Sequence, residues 1–300
     1  MSIFLQQFVN LVQLGSIYAL LAIGFSIVYG IARLVNFAHG PIFMVSTYLL
    51  FYFGTAFYNF VDNSWAVYLL AVLFSASITS ILAVLIEKFA YKPLRGGPIV
   101  SLVVSSVGVG MILEYGVLLT IGPVPKRMPA LIRDLPIVIG EVKFSLASVI
   151  IIVMSAVSMI ILSLFIRKSR TGVALRAVSQ DPVAASFMGI SRNMIISVAF
   201  ALGAIMATVG ASLYTAIYFT FSPYIGERIN WYSFIAAVIG GIGNIRGAVI
   251  GGFVLAALSV IGAMVMPVSS YKDILVFTVL IIILLVKPTG LLGKKTVEKI

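Results

Sequence analysis

Seven long apolar runs dominate the chain, near 7–32, 41–60, 65–86, 99–121, 145–166, 194–218 and 271–286. A helix needs about 20 mostly apolar residues to cross the roughly 30 Å hydrocarbon core of a bilayer, and these runs approach or exceed that length. The stretch 231–266 is apolar too, but Gly240, Gly241, Gly243, Asn244, Arg246 and Gly247 interrupt it. It predicts a short segment followed by a full one, so eight or nine crossings are expected in all. Apolar residues make up 61% of the 300 and charged residues 10%. Soluble domains carry about 25% charged residues, so no water-soluble fold of this size could cover so much apolar surface. A soluble enzyme, a nucleic-acid-binding module and a disordered chain are excluded. The expectation is one all-α polytopic membrane domain over residues 1–300, with broken segments.

The net charge of +11 is first a topology signal. Arg33, Lys88, Lys92, Arg95, Arg167, Lys168, Arg170, Arg176, Arg192, Arg246, Lys287, Lys294, Lys295 and Lys299 fall on one side of an alternating path. Lys126, Arg127, Arg133, Lys143, Arg228 and Lys272 fall on the other. The richer side is assigned to the cytoplasm, which puts the N-terminus outside and the C-terminus inside. That arrangement requires an odd number of crossings, and nine satisfies it if the segment near 231–243 crosses. The basic loops also suit anionic lipid. They lack the interleaved aromatics that stack bases, so nucleic acid is not an expected partner. Cysteine is absent and histidine occurs once, which removes disulfides and thiol catalysis and argues against a metal site. The opening Met-Ser-Ile-Phe lacks a basic n-region, so no cleaved signal peptide is expected. The loop 122–144, on the external side, is rich in helix breakers such as Pro123, Pro125 and Pro129. It serves either as a cover over the outer mouth or as a plain connector.

The most informative polar stretch is the cytoplasmic loop 167–193. Asp181 suits an N-cap, Pro182 a first helical position and Gly189 a C′ position. The implied helix, about seven residues over 182–188, is too short to persist alone in water. Ala184 and Ala185 permit close approach, and Phe187 and Met188 form an apolar knob. Two readings fit: docking into a groove of a soluble partner, or an interfacial helix lying on the membrane.

Ala184-Ala185 followed by Gly189 resembles the Glu-Ala-Ala-x-x-x-Gly loop of ABC importer permeases, with Val183 in the glutamate position. Three more blocks extend the likeness: Gly15-Ser16-Ile17-Tyr18-Ala19-Leu20 leading to Asn36-Phe37-Ala38-His39-Gly40, then Tyr91-Lys92-Pro93-Leu94-Arg95-Gly96, then Gly240-Gly241-Ile242-Gly243-Asn244-Ile245-Arg246-Gly247-Ala248. Together, and in order over nearly the whole chain, they resemble the LivH-type permeases of branched-chain amino acid ABC importers. The resemblance implies an importer-permease fold with an inverted repeat, in the inner membrane of a bacterium or archaeon. It implies a second related permease, two cytoplasmic ATPase subunits and an external solute-binding protein as partners. ATPase coupling would fall on Arg176, Asp181, Ala184, Ala185, Phe187, Met188 and Gly189. The implied cargo is Leu, Ile or Val, with urea, amides and other amino acids carried by related permeases.

Two apolar regions are broken in similar style, one through Gly30, Asn36, His39, Gly40 and Pro41, the other through Gly240 to Gly247. Irregular backbone inside a membrane survives only where protein or a watery cavity satisfies it, and paired breaks point to a transport pathway. On that reading Asn36, His39, Gly40, Gly241, Gly243 and Asn244 line it. The alternative is that both breaks are interfacial turns. Ser105, Ser106 and Glu114 in the fourth run join the pathway set, since an ionisable residue at depth usually faces the bundle interior. Glu114 equally suits a snorkelled interface position. No intact GxxxxGK[ST] loop, HExxH or GxSxG occurs, so the chain itself is not expected to be an enzyme or to hold a cofactor. ATP would be bound by partner subunits. A self-sufficient carrier or channel, or an intramembrane enzyme, remain the rival classes.

Overall fold

The computed structural model describes residues 2–129, 136–139, 142–268 and 271–293. Arg133 and Gly140 of the 122–144 loop, and Lys294, Lys295 and Lys299 of the tail, lie outside the described residues. The expected spans appear as α1 (Ser2–Ala32), α2 (His39–Tyr58), α3 (Ser64–Ile86), α4 (Ile99–Ile121) and α5 (Leu146–Lys168). They continue as α8 (Arg192–Ile217), α9 (Ile225–Gly240), α10 (Ile245–Val265) and α11 (Lys272–Val286). Seven of these are long and apolar enough to cross a bilayer by length and composition. The exceptions are α9 with 16 residues and α11 with 15, rising about 24 and 22 Å.

The basic loops expected on one side do gather there. Arg33, at the end of α1, donates to the Ser179 carbonyl at 3.1 Å. Arg95, after α3, donates to Asn193 Oδ1 at 3.0 Å. Lys287, after α11, bonds the Leu291 carbonyl, and the Leu291 amide bonds Ile239 O at 2.8 Å. The opposite end carries the α2–α3 turn and a two-stranded ladder. There β1 (Lys126–Arg127) pairs antiparallel with β4 (Thr220–Phe221) in the register Lys126↔Phe221. A separate hairpin joins β2 (Pro136–Ile139) to β3 (Val142–Ser145). The breaker-rich loop thus docks on the α8–α9 connection, and the Met128 amide adds a bond to Phe219 O at 2.7 Å.

Two halves repeat with inverted topology. α2 packs on α3 as α9 packs on α10, and α1 packs on α10 as α8 packs on α3. Across the pseudo-two-fold axis α1 meets α8 and α2 meets α9. The glycines at the axis explain the closeness. A Cβ on Gly24 would lie 3.0 Å from the Gly203 carbonyl oxygen, and one on Gly203 would lie 3.1 Å from that of Gly24. Gly40 and Gly226 face each other in the same reciprocal way. Small residues let backbones touch where no hydrophobic force drives helices together in lipid.

This symmetry corrects the pairing of breaks drawn from sequence. The mate of the 33–38 segment is 218–224, which leads into α9 from the opposite end. It places Phe221 against Tyr48 at 5.0 Å between ring centroids, then starts α9 beside Pro41 and Met44. The Gly241–Asn244 break is instead a tight turn at the basic end. Its mate is the α2–α3 turn, and each turn is capped by asparagine. Asn244 Oδ1 accepts from the amides of Arg246 and Gly247, and Asn63 Oδ1 from those of Trp65 and Ala66. Glycine content drew attention to 241–247, whereas 218–224 holds no glycine to betray it.

Loop 167–193 contains two helices rather than the single one expected. α6 (Arg170–Gln180) is capped by Ser169, whose Oγ accepts from the Gly172 amide at 2.9 Å. α7 (Pro182–Phe187) follows directly.

Candidate functional site

Segment 33–38 turns back from the end of α1 into the bundle. His39, the first residue of α2, reaches Gly24 and sets its ring edge-on to Phe25 at 5.9 Å. Gly24 lies eight residues before the end of α1, so α2 begins about 12 Å inside the bundle. Backbone at that depth needs internal partners. The Phe37 amide donates to Ser106 Oγ at 3.3 Å, and Ser106 Oγ donates to Val35 O at 3.4 Å. Asn36 Oδ1 accepts from the Ala38 amide at 3.1 Å and from Tyr91 OH at 2.9 Å. The Gly40 amide donates to Asn230 Oδ1 at 3.2 Å. The structure therefore brings Asn36, His39, Gly40 and Ser106 together. Asn36 is 2% exposed and braces the broken segment through its bonds, while His39, 1% exposed, is buried with its Nε2 unpartnered among the described residues.

Ser105 turns away and donates to Ala90 O at 3.2 Å. Glu114 is half-buried eight residues beyond Ser106, about 12 Å along α4, and does not join the cluster. Asn230 and Tyr91 belong to it and were not assigned to the pathway from sequence, because their partners lie 190 and 55 residues away.

At the basic end, Gly243 and Asn244 line a cavity of about 610 Å³ between α1, α5, α6 and the α9–α10 turn. The turn needs its glycines: Gly241 has φ +106° and Gly243 φ +85°, a region strained for other residues. Gly243 packs on Gly30, whose added Cβ would come 3.1 Å from Gly243 O. The tail closes over this turn. The Leu292 amide bonds Gly240 O at 3.0 Å, and Asn244 Nδ2 donates to Leu292 O at 2.8 Å. Gly241 is buried against Gly290 and Gly293 of that tail. The natural absence of cysteine makes these placements testable. Asn244→Cys is expected to react with a small aqueous maleimide, while Asn36→Cys and His39→Cys stay unlabelled in the resting protein, as read by mass shift. Rapid labelling of Asn36→Cys at rest would contradict the buried cluster.

The short helix α7 is built as its sequence suggests. Asp181 Oδ1 accepts from the Val183 and Ala184 amides, both at 2.9 Å. Gly189, at φ +80°, ends the turn. Phe187 is 86% exposed and Met188 82%, with Val183 and Ala184 also exposed. Ala185 departs from expectation: it is buried, because one residue of each helical turn must face the bundle for so short a helix to hold. It therefore belongs to the support of α7 and not to its outer face. Arg176, assigned with α7 to ATPase coupling, does not lie on α7. It sits on α6 at the rim of the cavity and donates to Arg167 O at 3.3 Å.

A buried ion pair beside this helix was missed. After α3 the chain makes a π-helical turn, Glu87–Tyr91. Glu87 is buried, pairs with Arg95, and accepts from Ser197 Oγ at 2.6 Å. Burial pulls the Arg95 guanidinium below its usual pKa, against the opposing pull of the Glu87 carboxylate. The cluster ties the α3–α4 turn to the first turns of α8, four residues after α7. Depth of charge was the signal that could have found it: Glu87 closes an apolar run as Glu114 interrupts one.

Residues 7–284 match the family described as branched-chain amino acid transport system / permease component. The chain is 38% identical over 302 residues to the high-affinity branched-chain amino acid transport system permease protein LivH of Salmonella typhimurium, covering 99% of this chain and 98% of that one. It is 40% identical over 304 residues to the corresponding protein BraD of Pseudomonas aeruginosa, with the same coverage. A probable branched-chain amino acid transport permease protein LivH of Methanocaldococcus jannaschii is 27% identical over 254 residues, 80% of this chain and 75% of that one. With the family matched over almost its whole length and the inverted helical repeat in place, the chain belongs to the permease family of branched-chain amino acid transport systems.

Proposed function

We propose that this chain is the membrane-spanning subunit of an ATP-driven importer that passes Leu, Ile or Val across the inner membrane of a bacterium or archaeon. The N-terminus is external and the C-terminus cytoplasmic. A second related permease completes the passage, two ATPase subunits bind at the basic end, and an external binding protein delivers solute. The observation that carries this reading is α7: a capped helix with bare Phe187 and Met188, projecting from the positively charged end of the bundle. Exposed apolar knobs of this kind mark a docking surface for a protein groove. The bundle then acts as the moving element, with its two inverted halves shifting as rigid bodies about the broken segments. The chain's own residues bind no nucleotide in this scheme, and the energy enters through α7.

Purification of the tagged chain from its native membrane tests the proposal. ATPase chains are expected to co-purify, and labelled leucine is expected to enter vesicles only when they, the second permease and the binding protein are present with ATP. Leucine flux through the lone chain would replace the importer with a self-sufficient carrier.

A further inference from the structure

The cavity at the basic end gathers several arginines above an apolar wall. Arg33, Arg167, Arg176 and Arg246 surround it, and no carboxylate occurs among its described lining residues. They arrive from four elements: the end of α1, the end of α5, the middle of α6 and the start of α10. Arg33 holds a left-handed backbone, φ 55°, at a helix end where glycine is the usual residue. Its guanidinium and that of Arg176 are anchored on the carbonyls of Ser179 and Arg167 rather than on acids. Four positive groups around one space repel one another, and an anion between them relieves the repulsion.

Beneath the rim the walls are mostly apolar, formed by Ile27, Ile31 and Ile166, with Ser163 among them. Ser26 also lines the cavity, seven residues before Arg33 on α1 and so about 10 Å deeper. It is completely buried, and its hydroxyl has no hydrogen-bond partner among the described residues. A buried hydroxyl without a partner is costly and marks a place where a ligand group is wanted. The occupant is therefore anionic at the rim, apolar below it, and able to offer an acceptor further down. We propose that this cavity binds one anionic phospholipid of the leaflet at the basic end, its phosphate among the four arginines. One acyl chain lies on the isoleucine wall, and its ester carbonyl accepts from Ser26. An acidic loop of a soluble partner matches the rim but not an apolar shaft running toward the membrane interior. The proposal rests on the membrane placement of the family and is independent of the cargo and of the ATPases.

Native mass spectrometry of the full chain, purified with whatever subunits accompany it, tests this with three probes: phosphatidylglycerol, phosphatidylcholine and inorganic phosphate. Phosphatidylglycerol is expected to remain bound, and the double variant Arg33→Gln, Arg246→Gln to weaken it roughly thirtyfold. Arg170→Gln, outside the cavity lining, leaves binding unchanged. Ser163→Phe fills the cavity without altering its charge and expels the lipid, which decides the matter should the double variant fail to fold. Equal retention of phosphatidylcholine overturns the proposal, as does undiminished binding in Ser163→Phe. Displacement of phosphatidylglycerol by millimolar inorganic phosphate assigns the rim to a free anion instead. Loss of co-purifying ATPase with lipid binding intact assigns it to an acidic protein face.

Discussion

The double variant Ala184→Asp, Phe187→Asp is expected to abolish leucine uptake while the protein still folds, inserts and travels with its permease partner. Both side chains are exposed on α7, so neither change disturbs the interior. A carboxylate carried into an apolar groove loses its hydration without gaining a counter-charge. Two such groups cost a few kcal/mol of docking, which is on the order of a hundredfold or more in affinity. ATP hydrolysis by the ATPases, measured in the same vesicles as uptake, should fall to a rate that no longer responds to loaded binding protein. Normal uptake by this variant would remove α7 as the point of force transfer. Ala185→Asp is the wrong probe. Ala185 is buried, and a charge there unseats the helix rather than marking its surface.

Gly40→Val is expected to prevent assembly of the permease. An added Cβ at position 40 overlaps the Gly226 carbonyl oxygen and the Asn230 side chain, and a branched side chain adds to the clash. The obstacle is mostly backbone, which cannot rotate aside as a side chain can, so the cost exceeds the roughly 1–3 kcal/mol of ordinary overpacking. Gly226→Ala should be milder, because its Cβ would stand 3.1 Å from Pro41 Cα and 3.2 Å from Gly40 O. Gly116→Ala, with nothing within 4 Å, should be neutral. Yield of monodisperse protein on size exclusion and its Tm rank the three. Equal behaviour of Gly40→Val and Gly116→Ala would show that the two halves do not meet at this point.

Much of the architecture was legible because burial in lipid is a local property of a sequence. Each apolar run announced a span, and the side bias of arginine and lysine announced which turns gather at one end. Asp181, Pro182 and Gly189 announced α7 through capping chemistry that acts within one helical turn. What stayed hidden depends on contacts between distant segments. The 218–224 connection is held by Lys126–Arg127 and by Tyr48, and in its own composition Pro223 marks a turn without showing where the chain goes next. Asn36 and His39 were read from the sequence as pathway residues. The hydrogen bond from Tyr91 to Asn36 and the edge-on contact of His39 with Phe25 hold both in the bundle interior, and Tyr91 lies 55 residues from its partner. α6 was missed for a different reason. Its Thr171 and Gly172 weaken helix propensity, and packing of Gly172 under the carbonyls of Phe165 and Ile166 overrides it.

The Gly24–Gly203 and Gly40–Gly226 contacts fall along the line relating the two halves, where main chain bears directly on main chain. His39 beside Gly24, Val28 beside Gly203 and Asn230 beside Gly40 crowd the same contacts, so neither half can slide past the other without collision. Swivelling about the line keeps both contacts intact and moves the far rims most. In the proposed importer cycle, such a rivet would turn a small push on one rim into a scissor-like opening at the other, with the rivet itself almost still.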